Sequence, residues 1–347
     1  MDRYPGGRWT RREFLGGAAL AGTAGLIGLR PEPASADPPP ETKTIRLIYD
    51  PDNSSLCYAP VYVAADLLRA EGFTDVRFVK LIKNTIVEPP TLAAGAADMS
   101  GVFGPDLIMG VEAGLPVGAL AGLHVGCLEL VGSERVRTIR DLKGKKVGVS
   151  GLGIAEHLFI ANVLAYIGMD PRKDVQWVVH EPPESIRLFN EGKIDAVMAF
   201  PPMPQQLRAG KIGHVLLRTA ADPPWSQYFC CTVATRKEFV QKNPAATKRA
   251  LRAILKADQL CTLEPERSAR FLVDKKLTLG ANYKETFQTL KDVRYGPVWR
   301  EYDPEAALLF YAVRMRENGF IKSTPQKIIA QSTDWRFLTE LKKELKG

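Results

Sequence analysis

The sequence is short of the residues on which enzymes and metalloproteins usually rely. Its only histidines, His124, His157, His180 and His214, are widely spread. They build no Ser-His-Asp constellation, and no HExxH pattern occurs. Five cysteines are present, Cys57, Cys127, Cys230, Cys231 and Cys261, an odd number that cannot all pair within one chain. No CxxC occurs, and no cysteine is read as standing at zinc-ligand spacing from a histidine. Cys230 and Cys231 are adjacent, and on a regular strand their side chains would point to opposite faces. Buried structural thiols are therefore expected, with no catalytic residue, no metal ligand and no cofactor. Blocks of one charge are also missing. The formal net charge of +8 comes from 47 Lys and Arg against 39 Asp and Glu, dispersed along the chain. That dispersal argues against a nucleic-acid partner and leaves a weakly basic surface. Beyond the N-terminal segment no apolar run reaches the roughly 18 residues of a membrane span.

What is present points to export. Thr10-Arg11-Arg12-Glu13-Phe14-Leu15 fits the twin-arginine pattern, and a Gly/Ala-rich apolar run follows from Leu15 to Leu29. Ala34-Ser35-Ala36 supplies small residues for cleavage after Ala36, so residues 1–36 read as a signal peptide. No cysteine lies near that cleavage point, so no lipid anchor is expected there. The mature protein is expected in the periplasm, as a monomer and without membrane insertion.

The length of 347 residues, with 45% hydrophobic and 25% charged side chains, suits two α/β domains or lobes. Residues 37–43 read as a linker. Thr44–Tyr49 reads as a strand, Asp50–Ser55 as a polar loop, Ala59–Ala70 as a helix and Val76–Ile82 as a second strand. Strand–helix alternation of this kind continues to about residue 235 and implies mainly parallel sheets. Beyond Phe239 the pattern is helical: Ala245–Thr262, Pro265–Val273, Tyr283–Lys291, Pro304–Asn318 and Thr333–Leu345. There is also an internal echo. Gly95, Asp98, Phe103 and Pro105 recur as Gly192, Asp195, Phe200 and Pro202 at a constant spacing of 97 residues. Two similar lobes, each opening a loop at the C-terminal edge of a sheet, would enclose a cleft.

Several segments, taken in order, resemble the nitrate/sulfonate/taurine-type substrate-binding proteins of ABC importers. They are Tyr58-Ala59-Pro60-Val61-Tyr62-Val63-Ala64, Leu92–Asp98, Asp141-Leu142-Lys143-Gly144-Lys145-Lys146-Val147, Glu191–Ala196 and Phe239–Pro244. The resemblance runs over about residues 44–340. It implies an α/β architecture of two Rossmann-like lobes with a hinge (periplasmic binding protein type II) and a helical C-terminal part. Lobe 1 is expected over 44–124, lobe 2 over 125–240, and helices over 241–347 returning to lobe 1. It also implies a small-molecule ligand, ABC permease subunits as partners, and no enzyme activity. The same family includes proteins that make the pyrimidine precursor of thiamine, so an enzyme of that kind is the alternative, as is the binding subunit of a sensor.

The expected ligand contacts come from loops at strand ends. Asn53, Ser54, Ser55 and Tyr58 follow the first strand; Ser100, Gly101 and Phe103 follow the strand near Asp98. Phe200 and Pro201 are the counterparts in the second lobe, and Tyr228 lies near a crossover. The turn Gly148-Val149-Ser150-Gly151-Leu152-Gly153 precedes a helix from about Ile154. Its free amides and helix dipole offer an anion seat or a plain helix start, with Ser150, Gly151, Gly153, Ile154 and Ala155 as candidates. Sulfonate-binding relatives commonly place hydroxyl residues ahead of a His here; this chain has Ile154, Ala155 and Glu156 ahead of His157. The expected ligand is a small organic acid, a sulfonate, or an aromatic or zwitterionic compound. His124 is expected to be a satisfied core residue.

Overall fold

The computed structural model describes residues 37–345 apart from Asn53 and Asn84. The export segment 1–36 and the candidate Asn53 therefore lie outside the described residues. Ten strands are described: β1 (Thr44–Ile48), β2 (Asp75–Val79), β3 (Met99–Phe103), β4 (Val117–Val125), β5 (Glu129–Gly132), β6 (Lys146–Val149), β7 (Gln176–Val179), β8 (Ala196–Ala199), β9 (His214–Arg218) and β10 (Phe229–Arg236). They form two five-stranded mixed sheets, ordered β2-β1-β3-β10-β4 and β7-β6-β8-β5-β9. The two orders are the same pattern. In each, three parallel strands are followed by an antiparallel strand that arrives from the other sheet.

The 97-residue echo is the repeating local device. Gly95 and Gly192 both adopt positive φ, 71° and 69°, which lets each end a helical turn without a side-chain clash. Three residues later an aspartate leads the next strand. Asp98 accepts from the Arg46 N–H at 2.9 Å, and Asp195 accepts from the Lys146 N–H at 3.0 Å. Each carboxylate also holds a guanidinium, Arg46 on Asp98 and Arg135 on Asp195, both at 2.7 Å. The same guanidiniums reach the carbonyls of Gly95 and Gly192. In the first lobe Arg236 adds a second cation to Asp98 at 3.0 Å, from β10.

The central strand β3 and the edge strand β4 of the first sheet are both buried at every residue, which fits their small and mainly apolar composition. β2 ends at Val79, earlier than the strand expected to Ile82. Beyond it, Leu81 and Ile82 give their N–H groups to the side chains of Asp50 and Thr91 instead of to a strand. One boundary of the sequence reading is corrected. β10 falls within the 125–240 span assigned to lobe 2, yet it pairs with β3 and β4 in the first sheet. Its residues look like any buried strand, and only the long-range pairing decides its sheet.

Helices cover both sheets. α1 (Ala59–Ala70), α2 (Glu88–Ala93) and α3 (Gly104–Glu112) serve the first; α4 (Ala155–Tyr166), α5 (Pro182–Asn190) and α6 (Met203–Ala209) serve the second. After α7 (Lys237–Lys242), the 20-residue α8 (Pro244–Leu263) lies against α1. Small residues on the facing surfaces, among them Ala64, Ala250, Ala253 and Ala257, are fully buried and permit the close approach. The remaining helices are α9 (Pro265–Asp274), α10 (Tyr283–Asp292), α11 (Val298–Glu301), α12 (Pro304–Glu317), α13 (Pro325–Ser332) and α14 (Arg336–Glu344). α12 and α13 pack on α3, so the C-terminal part does return to the first sheet's side, while α12 also touches α4 and α10 touches α6. α14 docks through Phe337, Leu338 and Leu341. No helix among the described residues is long and apolar enough to cross a membrane.

Candidate functional site

The two sheets present their C-terminal strand ends to one another across a cleft. The loop after β1 closes on itself, because the Ser54 hydroxyl accepts from the Asp50 N–H at 2.8 Å. Ser54 is therefore a turn residue, buried and away from the cavity. Ser55 caps the short turn Leu56–Tyr58, accepting from the Cys57 N–H, and its hydroxyl donates to the Pro201 carbonyl at 3.2 Å. The Leu56 N–H reaches that same carbonyl at 3.1 Å. Pro201 thus joins the lobes through its backbone.

A cavity of about 80 Å³ lies beside this joint. Of the residues expected from sequence, Ser55, Tyr58, Phe103, Ser150, Ile154, Ala155 and Phe200 line it. The others are placed elsewhere. Ser100 is buried, and its hydroxyl donates to the Gly101 carbonyl. Gly101 lies under the Tyr58 ring, so close that a Cβ would stand 2.4 Å from Tyr58 Cδ1. Its role is to let that ring in. Gly151 and Gly153 shape the turn before α4, Gly153 with φ of 78°. Tyr228 stacks on Phe310 at 3.9 Å, away from the cavity. Beside it, Trp225 is buried against Phe159, Tyr166 and Phe310.

Most of what gives the cavity its character was missed. Asp52, Glu88, Asp106, Glu156 and Glu181 line it, and no Lys, Arg or His does. Burial pushes Glu88 up to about 8, with the Cys57 thiol and Asp50 adding to the rise. Burial likewise holds Asp106 well above the usual carboxylate range, reinforced by Glu88 and Glu156, while the Ala155 amide pulls the other way. Glu156 is raised by burial despite accepting from the Ser150 hydroxyl at 2.7 Å. The start of α4 was read as a possible anion seat. Its Ala155 amide faces Asp106 and its Ser150 hydroxyl is taken by Glu156, so the protein's own carboxyls occupy that seat. The sequence carried a trace of this in Glu156, but Glu88 and Asp106 arrive from separate helices of the other lobe.

His157 has no free face toward the cavity. Its Nδ1 accepts from the Gly153 N–H at 2.9 Å, and its ring packs on Trp177 and Phe320. Burial lowers it to about 4, so it is neutral at ordinary pH.

The cavity floor carries three thiols, Cys57, Cys127 and Cys231. Together with His124 their donor atoms all lie within 4.8 Å of one another, and all four residues are buried. Two expectations are corrected here. His124 is fully buried, yet neither ring nitrogen makes a hydrogen bond of ordinary geometry. The sulfurs of Cys230 and Cys231 stand 3.8 Å apart, not on opposite faces of the strand. Register irregularities on either side of Cys231 break the two-residue alternation that the sequence reading assumed. The signal available in sequence is the His124-Val125-Gly126-Cys127 spacing, contrary to the reading that no cysteine stands at zinc-ligand spacing from a histidine.

Comparison with known proteins agrees with the architecture. The profile of the NMT1-like family matches residues 81–272. A relative from Brucella abortus (strain 2308) is 29% identical over 214 residues, 59% of this chain and 65% of that protein. The chain thus matches less than two thirds of the length of that relative. Among solved structures, the periplasmic nitrate-binding protein NrtA from Synechocystis PCC 6803 superposes with a TM-score of 0.71 at 17% identity, covering 88% of this chain and 90% of that one. The alkanesulfonate-binding protein SsuA from Xanthomonas axonopodis pv. citri, bound to MOPS, gives 0.67 at 17% identity, covering 87% and 100%.

Proposed function

The chain belongs to the NMT1-like family and has the periplasmic binding protein type II fold of NrtA and SsuA, and on that premise we propose that it is the extracytoplasmic solute-binding component of an ABC importer, selective for a small organic cation. The observation that carries the choice of ligand is the cavity lining: five carboxyl side chains, three aromatic rings (Tyr58, Phe103, Phe200) and no basic residue. A nitrate or sulfonate placed there would find no basic side chain and, at every carboxyl that is ionised, a like charge. A protonated amine, amidine or amino-substituted nitrogen heterocycle meets acceptors for its N–H groups and ring faces for its charge. The volume suits a molecule of about one ring. Ligand bridging both lobes favours the closed form, which then presents its surface to permease subunits. The bonds from Ser55 and Leu56 to Pro201 support such a closure. Export by the twin-arginine route with cleavage after Ala36 belongs to the same reading.

A thermal-shift screen of the purified mature chain tests the choice. Protonated amines, amidines and aminopyrimidines are expected to raise the melting temperature, and nitrate, sulfonates and carboxylates are not. A shift from the anions alone would reverse the assignment. The three thiols on the cavity floor, with His124 buried behind them, favour one second reading, chemistry on the bound solute. Recovery of a chemically altered ligand after incubation would establish it.

A further inference from the structure

We propose that Cys57, His124, Cys127 and Cys231 form a metal site for a thiophilic tetrahedral cation, Zn(II) or Cu(I), set into the floor of the cleft. Three sulfurs and one imidazole are the donor set of structural zinc centres, and soft thiolates equally select Cu(I). Tetrahedral Zn–S bonds of about 2.3 Å place two sulfurs about 3.8 Å apart. The four donors here already lie within 4.8 Å of one another without an ion. Side-chain rotation of under about 1 Å brings them to coordination distance.

The second observation is His124. Its ring is fully buried among thiols, and neither nitrogen makes a hydrogen bond of ordinary geometry, the Cys57 thiol beside it being its polar neighbour. A buried, unsatisfied imidazole costs stability unless something supplies the missing partner. A metal ion on one nitrogen does so. The surroundings hold the donors in place. His124 and Cys231 are opposite one another in the β4–β10 register. The Tyr295 ring packs edge-on to His124 at 5.7 Å, and its hydroxyl donates to the Cys57 carbonyl at 2.9 Å. Because three of the donors line the cavity, an ion has a path from the cleft.

The four residues come from four places: the turn after β1, the end of β4, the β4–β5 crossover and β10. An ion held by all of them pins the crossover to the first sheet and fixes the cavity floor. Cys230, with its sulfur 3.5 Å from Cys127, stands beside the set as the thiol that would capture Cys127 in a disulfide if the ion were absent under oxidising conditions.

The test uses the reduced, chelator-stripped full mature chain titrated with Co(II), then with Zn(II) and, separately, Cu(I). One equivalent of Co(II) is expected to give thiolate-to-cobalt charge transfer and the visible bands of a tetrahedral site, both abolished by one equivalent of Zn(II) or Cu(I). Cys231→Ser and His124→Gln are expected to weaken Zn(II) binding by at least about 100-fold. Cys261→Ser, in α8 and outside the cluster, is expected to bind as the parent does. No charge-transfer band in the parent, or an unchanged titration in Cys231→Ser, overturns the site. So does a Cys127–Cys230 disulfide whose reduction restores no metal uptake. The parent spectrum decides even if a variant fails to fold.

Discussion

Replacing Glu88 by Gln offers the sharpest check on the electrostatics of the cavity. Glu88 is buried at the start of α2, and its folded value of about 8 lies far above the 4.5 of the unfolded chain. Between those values the native state keeps a proton that the unfolded chain has released. Stability is therefore highest below pH 4.5 and falls as pH rises toward 8. His157 titrates in the opposite sense: its folded value of about 4 lies below the ordinary 6.5, so it removes stability only as pH falls below 6.5. The window from pH 6.5 to 8 is thus free of His157; the buried Asp106 and Asp258 are also held up and act in the same sense, so the comparison with Glu88→Gln is what singles out Glu88. Across it, one retained proton costs about 1.6 kcal/mol, allowing for half-titration at the upper end. In a chain of this size that is a drop of about 3 °C in melting temperature. Gln keeps the volume and cannot ionise. Thermal unfolding followed by near-UV circular dichroism at pH 6.5 and pH 8 should show the parent losing that much more than Glu88→Gln. Parallel pH dependences in the two proteins would refute the assignment of a buried, protonated carboxyl. The same proton should compete with a cationic ligand, so below pH 8 the affinity of any amine that binds should rise by up to tenfold for each unit that the pH is raised toward 8.

Three further outcomes are expected. Asp98→Ala should destabilise the protein by about 3–5 kcal/mol in denaturant unfolding, because it strands Arg46 and Arg236 around a site only 4% exposed at the aspartate; Asp195→Ala, with a more open partner in Arg135, should cost about 1–2 kcal/mol. Gly101→Ala places a methyl 2.4 Å from the Tyr58 ring and should push that ring into the cavity, lowering ligand affinity at least about tenfold at a stability cost of about 1–3 kcal/mol, both read by calorimetry. His157 should show no imidazole titration by NMR until about pH 4, and a midpoint near the ordinary value would mean its packing on Trp177 and Phe320 is wrong.

The sequence by itself determined the parts of the molecule that repeat locally. Strand–helix alternation and the positions of Gly95, Asp98, Gly192 and Asp195 made two similar lobes legible, because a glycine at positive φ and an aspartate leading a strand are devices of a few adjacent residues. Helix spans such as Ala59–Ala70 followed from periodicity. All three of the cavity's aromatic residues, Tyr58, Phe103 and Phe200, and the turn residues Ser55 and Ser150 could be placed the same way, since they sit near strand ends.

Only the tertiary structure decided which sheet takes β10, that carboxyls from the first lobe's α2 and α3 meet Glu156 of the second, and that residues 57, 124, 127 and 231 share one spot. Each of these depends on chain segments crossing between two sheets, and at Cys231 on an irregular pairing that reverses where a side chain points. Periodicity reports the face a residue takes within its own element. It carries no record of which distant element lies opposite, and that juxtaposition sets the charge and chemistry of the cleft.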